Sequence, residues 1–141
     1  MKKILFILPV LAVALFCGCS GREVSTDYNG ELCENLAMRI ESRDSLPQLD
    51  YAEMIGQNEA ILKYLIEQAE RLSEEPDSLR NGEWRLLTAD PVYMERFGYM
   101  FTLGSALYSA RLEGLLDEEN IDAYDALDKY NERLADYADR N

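Results

Sequence analysis

Between Tyr51 and Leu72, apolar side chains recur at helical spacing, and this constrains the fold more than any other feature of the chain. Tyr51, Met54, Ile55, Leu62, Leu65, Ala69 and Leu72 share one face, Ile61 and Ile66 widen it, and Asn58 stands in the same stripe. Glu59 with Lys63 and Glu67 with Arg71 are i,i+4 pairs in the favourable orientation. Ser45-Leu46-Pro47-Gln48 offers a capping box with proline tolerated in the first turn, so a helix is expected from there to about Ser73. A strand would need alternation, and no useful length of chain alternates.

Three further helices are expected. A short one spans about Glu31 to Ser42, on the stripe Leu32, Leu36 and Ile40. Asp90-Pro91, a cap followed by proline at the first helical position, opens another that runs to about Gly114. Phe97 to Ala110 carries no charge, and the flanking Arg96 and Arg111 leave it too short for the roughly 20 residues of a membrane span. It is therefore expected to be the central, core-buried helix. Gly98, Thr102, Ser105 and Ser109 form a small-residue seam along it, suited to close packing of a neighbouring helix or to a groove for a ligand or partner helix. Asp117-Glu118-Glu119 starts a last helix to about Asp139, with Ile121, Tyr124, Leu127, Leu134 and Tyr137 on its apolar face. Glu74 to Asp90, with Pro76 and Asn81-Gly82, reads as a helical turn or loop lid carrying Trp84. The expected fold is all-α, a bundle of about four helices over residues 31–141.

The chain before that domain has a different character. Lys2 and Lys3 precede the apolar run Ile4–Phe16, and Cys17-Gly18-Cys19-Ser20 follows. Thirteen apolar residues with Pro9 among them do not span a bilayer, so a cleaved secretory leader is the better reading. The segment resembles the leader of bacterial lipoproteins, in which a small residue precedes a lipid-modified cysteine. Gly18 precedes Cys19 whereas bulky Phe16 precedes Cys17, so the resemblance places cleavage between Gly18 and Cys19 and the lipid on Cys19. It implies residues 1–18 as signal peptide, a diacylglyceryl group on the sulfur and often an acyl chain, such as palmitate, on the new amino group. Residues 19–30, polar with Gly21, Ser25, Thr26 and Gly30, are expected to be a flexible tether. Two or three acyl chains suffice for stable anchoring. Ser20, rather than the Asp that resembles an inner-membrane retention signal, favours the outer membrane, facing periplasm or cell surface.

Charge and residue absences narrow the function. The chain carries a net charge of −13, and losing Lys2 and Lys3 makes the remainder more acidic. Such a field repels phosphate backbones and anionic headgroups, so no nucleic-acid partner is expected and the membrane is reached through the lipid on Cys19. There is no histidine. That removes Ser-His and Cys-His nucleophile activation, His-ligated zinc and the Glu-x-x-His pairs of di-iron bundles, and no metal or cofactor is expected. Without histidine, catalysis would fall to carboxylates such as Glu53, Glu67, Glu95 and Glu113, and a carboxylate hydrolase is a low-weight alternative. Asp122, Asp125 and Asp128 suit a charged outer helix face better than a weak calcium site. Cys33, with no partner left after Cys17 is lost and Cys19 alkylated, flanks the Leu32 stripe and is expected to be buried.

The expected function is a non-enzymatic protein-interaction or structural module of the cell envelope, bound to another envelope protein. The candidate interface is Trp84, Tyr93, Tyr124 and Tyr130, aromatic side chains that suit packing and recognition alike. A binder of a small apolar ligand or peptide is the alternative, with Phe97, Met100, Phe101, Leu103 and Leu107 as its pocket. An acidic immunity-type protein that captures a basic toxin is a further one.

Overall fold

The computed structural model describes residues 27–42 and 48–139. The expected leader, the expected lipidation point at Gly18–Cys19, the expected tether up to residue 26 and the expected capping box at Ser45–Pro47 lie outside the described residues. The described chain is all-α: α1 Gly30–Glu41, α2 Gln48–Ser73, α3 Asp77–Ala89, α4 Pro91–Leu112, α5 Glu118–Asp125 and α6 Asp128–Asp139. No helix among the described residues is long and apolar enough to cross a membrane.

The helix starts follow the capping chemistry of the sequence. Asn29, Asp90 and Asp117 each accept a hydrogen bond from a first-turn N–H, of Leu32 (3.1 Å), Val92 (2.9 Å) and Asn120 (2.9 Å). At the end of α4 the Leu115 N–H donates to Ala110 O (2.9 Å) and the Gly114 N–H to Arg111 O (3.4 Å), a Schellman closure with Gly114 at φ +71°. A Cβ is strained in that left-handed conformation. Gly114→Ala is therefore expected to cost about 1 kcal/mol in a thermal melt, although open space surrounds the site.

The centre of the fold is α2, which packs against every other described helix. Met54, Ile61, Leu62 and Leu65 on it are almost wholly buried, and α4 contributes Leu103 and Leu107 from above. This corrects the expectation that the uncharged α4 is central. Lack of charge permits burial without requiring it, and α4 buries only Tyr93, Leu103, Leu107 and Ala110 on one side.

Two other expectations are corrected. The segment after Pro76 is a full 13-residue helix, α3, rather than a helical turn or loop. Its Asn81-Gly82 step carries a penalty of about 1 kcal/mol, outweighed by burying Leu87 and by an edge-on contact of Trp84 with Tyr93 at 6.3 Å. The last helix breaks at Ala126–Leu127, where the Leu127 N–H donates to Tyr124 O in a tighter turn. Leu127 is buried at the corner, and the bend lets both α5 and α6 reach α2.

The described residues just before α1 are tied to α2. Gln57 of α2, fully buried, accepts from the Asn29 N–H (2.7 Å) and donates through Nε2 to Asp27 O (3.0 Å). This carboxamide holds the backbone of Asp27 and Asn29 against α2. Cys33, buried as expected, donates its thiol to the same Gln57 oxygen at 3.6 Å. Burial, then the Glu95 charge, pushes that thiol up to about 11, with Arg96 opposing. The sign follows: the unfolded thiol ionises near 9.0 and the folded one does not, so this contribution is intact below pH 9.0 and lost as pH rises toward about 11. In that window the wild type is expected to lose stability faster than Cys33→Ala, by up to about 1.4 kcal/mol per pH unit in denaturant titrations.

Candidate binding surface

Helices α4 and α6 both lie along α2 and scarcely meet each other. A cleft is left between them. One part, of about 430 Å³, is floored by Asn58 and walled by Met100, Phe101, Ser105 and Tyr108 of α4 and by Tyr124 and Leu127. The other, of about 380 Å³, is bounded by Ala69 and Leu72 of α2, Trp84 of α3, Tyr93 and Phe97 of α4, and Leu134 and Tyr137 of α6. Asn131 lines both parts. An aromatic ladder joins them: Tyr93 stacks on Phe97 at 6.1 Å, and Phe97 meets Phe101 edge-on at 5.0 Å.

Hydrogen bonds to α2 hold the α6 wall. Tyr130 donates to Glu59 (3.2 Å) and Tyr137 to Glu70 (3.3 Å), while Arg133 pairs with Glu70. Glu59 is held below the usual carboxylate range, chiefly by its hydrogen bond with Lys63 at 2.9 Å. On the α4 side Arg96 lies over two rings, Tyr28 and Tyr64, each at 4.2 Å. Burial raises the phenols of Tyr93 and Tyr124, nearby Asp128 and Asp125 adding to the latter, so both stay neutral donors at ordinary pH.

From the rim of the cleft outward, the water-facing side of α4 has an unusual pattern. Met94, Gly98, Phe101, Ser105, Tyr108 and Leu112 follow one another at alternating four- and three-residue steps, and all are exposed. Leu115 continues the series past the helix end. Phe101 and Tyr108 are each 58% exposed and Leu112 69%. With Met94 and Leu115 these side chains leave on the order of 500 Å² of apolar surface in water, the size of the largest patch on a typical monomer, which is often functional. Between Arg96 and Arg111 no charge interrupts it.

The structure thus redistributes the residues singled out from sequence. Of the expected pocket, Phe97, Met100 and Phe101 border the cleft, whereas Leu103 and Leu107 are 0% exposed in the core cluster shared with α2 and line neither part of the cleft. At about 100° per residue the five positions spread over nearly half the circumference of the helix, so Phe97 and Phe101 fall toward its cleft edge and Leu103 and Leu107 toward its core edge. Of the expected interface, Trp84 is exposed at the cleft rim and Tyr124 forms part of its wall. Tyr93 is buried beneath Trp84, and Tyr130 is turned inward by Glu59, with Lys63 and Lys129 over its ring. The small-residue seam does not receive a neighbouring helix: Gly98 and Ser105 are exposed, and a Cβ at Gly98 would meet nothing. Asp122, Asp125 and Asp128 are divided by the bend, and Asp125 pairs with Arg111 at 3.5 Å. Among the described residues no three metal-ligating side chains gather.

Asn58 was the residue that sequence reasoning passed over. A polar side chain within the apolar stripe of α2 was the available signal, and the helical spacing absorbed it as one more inward position. Compared with known proteins, the chain matches no family model, no curated sequence and no solved structure.

Proposed function

We propose that this protein is a lipid-anchored, non-enzymatic interaction module of the bacterial cell envelope, which docks another envelope protein through the outer face of α4. The observation that carries the reading is the exposed, uncharged stripe from Met94 to Leu112 on a chain of net charge −13. Large side chains alternate with the small Gly98 and Ser105, a surface of knobs and gaps that suits a partner helix. The stripe offers apolar contact where the acidic remainder of the surface would repel an acidic partner. Lipid on Cys19, through the segment up to residue 26, would hold the module at the membrane, with outer-membrane delivery favoured by Ser20.

Affinity purification from crosslinked cells tests this reading. The double variant Phe101→Asp/Tyr108→Asp is expected to lose an envelope partner that wild type and the surface control Glu119→Lys both retain. Its melting temperature should stay close to that of wild type, since both side chains already face water. A partner that survives the double variant, or no specific partner with wild type, contradicts docking at this face.

A further inference from the structure

We infer that the Asn58 end of the cleft is a binding site for a small molecule with an apolar ring body and a hydroxyl or N–H donor. Asn58 is 4% exposed and shares the inward face of α2 with the almost wholly buried Met54, Leu62 and Leu65. Its Oδ1 is buried and has no hydrogen-bond partner. More than nine in ten buried polar groups in native proteins are satisfied, and leaving one unmet costs about 1–3 kcal/mol. A carboxamide in this state, at the floor of an open cleft, points to something that enters the cleft and completes it.

The space and walls define the class of ligand. About 430 Å³ lies within the usual range for small-molecule sites. Phe101, Tyr108 and Tyr124 supply aromatic surface for a ring, and Met100 adapts to its outline. Gly104, where a Cβ would stand 3.7 Å from Asn58 Nδ2, passes the carboxamide with no side chain between them. The terminal torsion of Asn is broad, so a modest turn brings Oδ1 to face a donor in the cleft. The unmet atom is an acceptor; a ligand that only accepts would leave it unmet. The site shares Phe101 and Tyr108 with the proposed docking face, but Asn58 lies outside that face, so loss of the donor preference in Asn58 variants is read separately from loss of a partner.

The test compares 2-naphthol with 2-methoxynaphthalene, which share a ring system and differ in the O–H donor. Each is titrated into the full-length lipidated protein in detergent, with binding read from NMR shifts of the Asn58 side-chain amide and the cleft methyl groups. The same titrations on Asn58→Leu, read from the methyl groups, cancel partitioning into detergent. Wild type is expected to bind 2-naphthol roughly tenfold more tightly, the scale of one net hydrogen bond, and Asn58→Leu to lose that preference. Asn58→Asp, which keeps an acceptor, should retain it. Equal binding of the two probes by wild type, no saturable shift, or a preference that survives Asn58→Leu overturns the assignment. Should Asn58→Leu fail to fold, Asn58→Ala, which also lacks the acceptor, takes its place in the same titrations.

Discussion

Leu103→Ala is expected to destabilise the domain by about 2–5 kcal/mol, whereas Tyr108→Ser, five residues along the same helix, should change stability by less than about 0.5 kcal/mol. The contrast follows from the two sides of α4. Leu103 is 0% exposed and sits in the cluster with Met54, Leu62 and Leu65, where truncation leaves a cavity that the surrounding helices fill only in part. Tyr108 is more than half exposed, and its removal takes little apolar area out of the folded core. Stabilities of small domains are about 5–15 kcal/mol, so the first change consumes a large share of the total. Denaturant unfolding of both variants checks the assignment. Comparable losses would mean that α4 is buried all round, and the outer stripe would then not be a docking face.

Cys19→Ala is expected to move the protein from the membrane fraction to the soluble fraction of signal-processed cells, or to leave it as unprocessed precursor. Each buried methylene of an acyl chain contributes about 0.8 kcal/mol, so two chains hold a protein at a bilayer and none leaves only weak surface attraction. Here that attraction is absent, because the acidic chain is repelled by anionic headgroups. No described helix could take over the anchoring role by spanning the membrane. Fractionation with metabolic labelling by a fatty-acid analogue separates the cases: loss of label and of membrane association together supports lipid attachment at Cys19. Retention of label with Cys19→Ala would place the lipid elsewhere.

Local chemistry was readable in this chain and tertiary choice was not. The span of α2 followed from its stripe, and the start of α4 from Asp90-Pro91, because capping and periodicity act within one or two turns. Helix α3 was hidden because Pro76 and Asn81-Gly82 have the local preferences of a turn; burial of Leu87 and the Trp84–Tyr93 contact, which override them, belong to the fold. The bend at Leu127 has the same origin, since a single apolar face fits a straight helix equally well.

The candidate site was legible only in part, for a related reason. An uncharged run such as Phe97–Ala110 states that burial is allowed, and the side that is buried is decided by where α2 and α6 lie. Phe101 and Leu103 look alike in sequence and end on opposite sides of α4. Asn58 could be noticed as polar among apolar neighbours, yet its unmet oxygen and the space beside it exist only once α4 and α6 are placed.

Site-specific photocrosslinking in living cells tests the docking face most directly. A photoreactive amino acid is placed singly at Tyr108, at Leu112 and, as control, at Asp136 of α6. Proposed docking through α4 requires one discrete envelope-protein adduct at Tyr108 and Leu112 and none at Asp136. Adducts of equal strength at all three positions, or none at the α4 positions in cells where the protein is correctly anchored, would contradict it.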